Sequence, residues 1–67
     1  MQVIVVNTQF HMNTILNVQH IVAIISEDTK TIIQLVGDVQ WQVRHTKQEI
    51  IQKLQKAGAD LPEILEA

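Results

Sequence analysis

Short runs of β-branched aliphatic residues, separated by polar turns, occupy most of the first part of the chain. Valine and isoleucine are stiff at their first side-chain torsion and favour strands. Residues 2–6, 21–26 and 31–36 are therefore predicted to be strands. A turn at residues 7–9 allows residues 10–12 to pair back as a further short strand. The run at residues 21–26 is apolar on both faces, which is typical of a strand that is covered on both sides.

Residues 39–44 alternate between apolar and polar side chains, which predicts a strand with one buried face. The apolar face holds Val39, Trp41 and Val43, and the polar face holds Gln40, Gln42 and Arg44. Gly37 and Asp38 supply the tight turn that joins this strand to the preceding one.

The length of that turn decides which side chains share a face, because directly opposed residues of a hairpin point the same way. A two-residue loop leaves Ile33 and Leu35 on the glutamine face of the neighbouring strand. A three-residue loop moves both of them to the face of Trp41. The sequence does not decide between the register of the two-residue loop and that of the three-residue loop.

The strongest local signal predicts an α-helix that begins after Thr46. Thr46 and Glu49 have the spacing of a capping box, in which each side chain satisfies the free main-chain N–H of the other residue. An apolar stripe at helical spacing follows, formed by Ile50, Ile51, Leu54 and Ala57. Gly58 suits the left-handed residue that ends many helices.

A second helix-start signal lies at residues 60–63, where Pro62 is tolerated in a first turn. It predicts a short helical tail that contains Leu61, Ile64 and Leu65. Together the elements predict an α+β fold: a small antiparallel sheet of four to five strands with one C-terminal amphipathic helix and this tail. Because no linker or repeat interrupts the chain, residues 1–67 are expected to form a single domain.

One short helix covers only one side of such a sheet, so some aliphatic side chains are expected on the other side. We expect a second copy of the chain to close that side, which makes the protein a homo-oligomer. The residues predicted to line this contact are Ile33, Leu35, Gln40 and Gln42.

Composition narrows the class of function. The chain has 67 residues, of which 46% are hydrophobic and 18% are charged. Its net charge is −2, and it contains no cysteine. A disordered chain, a disulfide framework and a thiolate metal site are therefore not expected. The longest apolar runs fall short of the roughly 18 residues that a membrane helix needs, and no export signal is seen, so we expect a cytoplasmic protein without a membrane partner.

Catalytic chemistry is not indicated by the polar residues. The carboxylates fall in turns or at helix ends, where a structural role accounts for them, as it does for Asp38 and Glu49. The three histidines His11, His20 and His45 lack the spacing of a metal site. We therefore expect neither an enzyme nor a cofactor.

A modest basic patch near the start of the helix supports an alternative function, a small regulator that binds RNA or DNA. Its key residues would be Arg44 and Lys47, close to His45. The acidic net charge of the chain weighs against it, because nucleic-acid binding needs a basic face that displaces phosphate counterions.

The order of these elements resembles FlbD-like small bacterial proteins. The similarity covers roughly residues 10–57 and includes the stretches 16–24, 28–35, 41–43 and 46–54. Members of that family are short, strand-rich chains that are associated with flagellar gene clusters and end in one helix. The family offers no catalytic residues, so the resemblance implies architecture.

The expected function is therefore a non-enzymatic, self-associating protein-interaction module of bacterial or phage origin. It would present a sheet face or a sheet edge to another protein, whose identity the sequence does not give.

Overall fold

The computed structural model describes residues 2–66 and has the predicted α+β class, with six strands and one α-helix in that part of the chain. The strands are β1 (Val3–Asn7), β2 (Asn13–Asn17), β3 (Ile21–Glu27), β4 (Lys30–Leu35), β5 (Val39–Val43) and β6 (Glu63–Glu66). The helix α1 spans Lys47–Lys56, and a single 3₁₀ turn, Val18–His20, precedes β3.

The strands form two sheets, where the sequence predicted one antiparallel sheet. β1 and β2 pair as an antiparallel hairpin, and the other strands form a sheet in the order β5-β4-β3-β6. In the larger sheet β6 runs parallel to β3, while the other pairs are antiparallel. A single bridge between Thr8 and Val43 joins the hairpin to β5.

The first hairpin is longer than predicted. Its turn is closed by the Thr8 N–H, which donates to the Met12 carbonyl at 2.9 Å, and His11 within it takes a left-handed φ of 62°. The returning strand is therefore β2, and the prediction of a strand at residues 10–12 is wrong. Asn17 ends β2, and its side-chain oxygen accepts a hydrogen bond from the Gln19 N–H at 2.9 Å.

The predicted helical tail is also wrong, because residues 63–66 form strand β6. Four residues give an isolated helical segment very few hydrogen bonds, whereas the edge of β3 offers a complete row of main-chain partners. Ile64 pairs with Ile24, which is fully buried, so strand pairing also covers the apolar side chain of the tail.

The hairpin between β4 and β5 adopts the three-residue loop. Ile33 pairs with Trp41, and Leu35 pairs with Val39. Gly37 and Asp38 in the loop have left-handed φ angles of 79° and 60°. This register turns Ile33 and Leu35 towards the interior and leaves the glutamines of β5 on the opposite face.

The core lies between the larger sheet, the β1–β2 hairpin and α1. Its buried members are Ile4, Val6, Leu16, Ile24, Ile33, Val43, Ile50 and Leu54. The hairpin thus covers the sheet together with α1. The sequence prediction had assigned this covering to the helix alone. Ile33 is 0% exposed and the half-buried Leu35 packs against the same cluster, so both point into the core and away from the face on which the subunit contact was predicted.

The capping box at the start of α1 is present as predicted. The Thr46 N–H donates to Oε1 of Glu49 at 2.9 Å, and the Glu49 N–H donates to Oγ1 of Thr46 at 3.2 Å. The Thr46 main-chain N–H holds the pKa of Glu49 below its ordinary value of 4.5 against the opposing effect of desolvation, and the Thr46 hydroxyl and His45 lower the pKa further.

This lowered pKa predicts an acid-sensitive contribution to stability. A depressed carboxyl pKa stabilises the fold above the unfolded-state value, and the contribution is lost as the pH falls through the folded-state value. The urea midpoint of Glu49→Gln should therefore vary less between pH 6 and pH 3 than that of the unmodified chain, since glutamine keeps the cap without titrating. Identical pH profiles for the two proteins would contradict the assignment.

Candidate interaction surfaces

The face of the larger sheet that looks away from α1 is called the outer face. Because neighbouring strand residues alternate in direction and Ile24 and Ile33 face the core, Ile25 and Ile32 point outward. Ile25 pairs with Ile32 on one side and with Leu65 on the other. These three side chains form a continuous aliphatic row across β4, β3 and β6, and no helix of the described chain covers it.

Glutamines extend this aliphatic row on β5. Gln42 pairs with Ile32, and Gln40 lies next to it in an adjacent row with Gln34. Gln40 is exposed and Gln42 is half-buried. Two of the four predicted contact residues, Gln40 and Gln42, therefore lie on the outer face, and the aliphatic residues beside them are Ile25, Ile32 and Leu65.

Some of the outer-face residues that the sequence prediction missed could have been found from the register of the β4–β5 hairpin. The three-residue loop, which the sequence left open, places Ile32 on the glutamine face. The position of Leu65 could not have been found in that way, because its segment was assigned to a helix.

Charge on the outer face lies on the edge strand β6 and at the β3–β4 turn. Glu63 is two residues before Leu65 and therefore points to the same face. Lys30 Nζ lies 3.7 Å from Glu27 Oε2, and the two residues are cross-strand neighbours at the β3–β4 turn. The centre of the face is aliphatic and amide in character, so it can meet another uncharged surface without leaving a charge unpaired.

A second surface lies where the first hairpin meets β5, and it is called the β5-edge groove. It is a cavity of about 180 Å³ lined by Thr8, Gln9, Phe10, Val39, Gln40, Trp41 and Gln42. Phe10 and Trp41 are the two aromatic residues of the whole chain. Phe10 is 67% exposed, and Trp41, which the sequence placed in the core, is only half-buried.

The main chain of β5 is partly unpaired along this groove. The Gln9 N–H donates to the Gln42 carbonyl at 3.0 Å, and the Arg44 N–H donates to the Asn7 carbonyl at 2.8 Å. Even-numbered residues of β5 therefore direct their main-chain groups away from β4, because these groups alternate sides along a strand. The N–H and C=O of Gln40 point outward in the same way, and within residues 2–66 neither group bonds to the first hairpin or to a loop.

Thr8 forms part of the same groove. Its side chain is buried, with 1% of the residue exposed, and its Oγ1 has no hydrogen-bond partner in the described part of the chain. A buried hydroxyl without a partner costs about 1–3 kcal/mol relative to a satisfied one. Such a cost is unusual for a residue with only a structural role, so the Thr8 hydroxyl makes this groove a candidate binding site.

A third candidate site is a polar cavity of about 450 Å³ at the start of α1. It is lined by the residues on which the nucleic-acid alternative depends. It brings Arg44 and Lys47 together, as predicted, along with Lys30 and His45. Acidic neighbours offset most of this charge, since Lys47 is paired with Glu66 and Lys30 with Glu27. Arg44 contacts the ring of His11.

His45 connects the helix start with the first hairpin. Its Nε2 accepts a hydrogen bond from the Asn7 N–H at 2.9 Å, and its Nδ1 lies 3.7 Å from Glu49 Oε2. These contacts give this partly buried histidine a structural role. The histidines do not converge, and residues 2–66 contain no group of histidine and acidic side chains that could hold a metal ion.

Helix α1, at ten residues, is too short to cross a membrane, and no other helix in residues 2–66 is long and apolar enough to do so. Comparison with known proteins found no matching family model and no significant similarity to a curated protein or a solved structure. Four surfaces of the described residues are candidates for interaction: the outer face, the β5-edge groove, the polar cavity and the exposed side of the first hairpin, where Val5 (48% exposed) pairs with Ile15 (68% exposed).

Proposed function

We propose that the protein is a non-enzymatic interaction module that self-associates through the outer face. The observation that supports this proposal is the aliphatic row on the side of the sheet opposite α1, in which Ile25 and Ile32 are half-buried and Leu65 is exposed. Leu65 is 41% exposed. Contiguous apolar side chains on the surface of a small domain are typical of an interaction site.

A second copy of the chain suits this face because the face is complementary to itself. A two-fold axis brings identical residues together, so a surface rich in one charge would repel its copy. Gln40 and Gln42 avoid this repulsion, since an amide side chain both donates and accepts hydrogen bonds. Glu27 and Lys30 provide one charge of each sign at the rim, which a two-fold arrangement can also pair.

The small size of the domain supports the same proposal. A chain of this length buries only about 60% of the surface that its unfolded state exposes, and small domains without disulfides or metals often gain stability by association. Covering the aliphatic row would add apolar burial at about 25 cal/mol per Å².

Sedimentation of charge variants tests this self-association. The unmodified chain should form dimers between about 5 and 500 µM. Leu65→Lys should weaken dimerisation by at least about tenfold, because a lysine at the end of the aliphatic row would lose hydration in the contact without gaining a partner. Ile15→Lys is the matched control, since Ile15 is 68% exposed in strand β2, outside the outer face.

Two results would overturn the self-association proposal. One is an unmodified chain that stays monomeric at the highest concentration. The other is an Ile15→Lys variant that dissociates as readily as Leu65→Lys, which would place the contact elsewhere.

We also propose that the protein is related to the FlbD-like bacterial proteins and is located in the cytoplasm. Five strands followed by one helix support the resemblance, whereas strand β6 after the helix departs from the family pattern. Nucleic-acid binding through Arg44 and Lys47 is the less favoured alternative, since carboxylates accompany the lysines of the polar cavity.

A further inference from the structure

We propose that the β5-edge groove binds an extended, uncharged peptide segment of another protein, which adds to β5 as a strand and places one apolar side chain beside Phe10 and Trp41. This site shares Gln40 and Gln42 with the outer face but contains none of the residues of the aliphatic row. The inference therefore goes beyond self-association and does not depend on it.

The main chain of β5 gives the first argument. Thr8 already pairs with Val43, and the chain then turns away at Gln9 and Phe10, so the edge beyond Gln42 is left open. The outward N–H and C=O of Gln40 are a donor and an acceptor in the arrangement that an added strand requires. Strand addition to a sheet edge is a general mode of peptide recognition, in which main-chain hydrogen bonds supply affinity.

The aromatic side chains give the second argument. Phe10 and Trp41 both line a concave space of about 180 Å³, close to the point where the edge becomes unpaired. Exposed aromatic residues at a concavity are typical anchors in protein interfaces. The space suits one apolar side chain of a passing strand, and side-chain pockets of this kind give strand addition its specificity.

The chemistry of the lining selects the class of segment. None of the seven residues that line the groove is charged. A lysine or a glutamate of a ligand would lose hydration there without meeting a partner, which is costly. A nucleic acid is disfavoured for the same reason, because the groove offers no cation to its phosphates.

Thr8 supplies an independent sign of a missing partner. Its hydroxyl lacks a hydrogen bond although the residue is almost fully buried at the groove. Because this oxygen has less than 1 Å² of accessible surface, an added strand reaches it only if the first hairpin shifts on binding. A main-chain group of the strand can then donate to the hydroxyl oxygen or accept from its hydrogen.

Selection from random peptides of about ten residues, displayed on phage, tests the groove. Selected peptides should have an uncharged centre and bind with a Kd on the order of 10–100 µM. Binding should change the fluorescence of Trp41, which is the single tryptophan of the chain. It should also shift the amide NMR signals of Gln40 and Gln42.

Two variants separate the aromatic pocket from the main-chain contact. Phe10→Ala should weaken binding of the selected peptides at least about tenfold. Gln40→Pro should do the same, because it removes the outward N–H without removing a hydrogen bond to β4, and proline is accepted on edge strands. Ile15→Ala is the control, since Ile15 is 68% exposed and Phe10 67%.

The proposal is overturned if selection yields no binding peptide or only charged ones. It is also overturned if Phe10→Ala and Gln40→Pro bind the selected peptides as well as the Ile15→Ala control does. If Phe10→Ala instead weakens self-association in sedimentation, a second copy occupies the groove, and the peptide is the wrong occupant. Loss of dimerisation in Leu65→Lys with peptide binding intact would separate the two surfaces.

Discussion

Replacing Ile33 by alanine is expected to lower the free energy of unfolding by about 3 kcal/mol, because the change removes buried methyl groups and leaves a cavity. Ile33 is 0% exposed and belongs to the cluster that includes Ile24, Ile50 and Leu54. A domain of this size has a total stability on the order of 3–10 kcal/mol, so the loss is a large fraction of it. Urea denaturation followed by circular dichroism measures the change.

Ile32→Ala is the matched control for this experiment. Ile32 is the adjacent residue of the same strand, but it points to the outer face and is only half-buried. Its replacement should cost about 1 kcal/mol or less when the protein is dilute enough to be monomeric. Equal losses for the two variants would contradict the three-residue register of the β4–β5 hairpin.

Removal of residues 63–67 is expected to cost about 2 kcal/mol and to promote aggregation. The truncation removes the hydrogen bonds of β6 and uncovers Ile24, while the conformational entropy regained by the released residues offsets part of the loss. It also opens the edge of β3, and an unpaired edge is a template for pairing with another chain. Urea denaturation and light scattering report the two effects.

Leu61→Ser serves as the control for the truncation. Leu61 is 46% exposed and precedes β6, so its replacement removes apolar surface from the same region without opening β3. It should change the free energy of unfolding by less than about 0.5 kcal/mol and cause no aggregation. A truncated chain as stable and as soluble as this control would show that β6 contributes little.

Local patterns were sufficient to predict most of the elements. The apolar runs before residue 45 became β1, β3, β4 and β5 with small shifts of their ends. The helix was predicted most closely, because the reciprocal bonds between Thr46 and Glu49 depend only on residues three positions apart. In each of these cases the stabilising contacts lie within a strand, a hairpin or a helical turn.

Long-range pairing accounts for the errors. Leu61, Ile64 and Leu65 fit helical spacing, and only the open edge of β3 turned their segment into a strand. In the same way, Asn13 and Asn17 are typical of loops, yet pairing with β1 placed them at the ends of β2. Neither partner could be identified from the residues of the segment itself.

The candidate surfaces were predicted in part. Gln40 and Gln42 were correctly placed away from the core, because their strand alternates strictly between apolar and polar residues. Their aliphatic neighbours depended on the length of one loop, which sequence left open. The β5-edge groove was not predicted, because it requires the first hairpin to reach β5 at Thr8, a contact between residues distant in the chain.

The pairing of β6 with β3 has a consequence for the order in which the protein folds. It joins residues forty positions apart, such as Ala23 and Glu63, whereas the other strand pairs are neighbours along the chain. Closing a long loop costs more chain entropy than closing a short one, so we expect β6 to dock late, after the hairpins and α1. Contacts that form after the rate-limiting step of folding determine the unfolding rate. We therefore expect the contacts of β6 to slow unfolding.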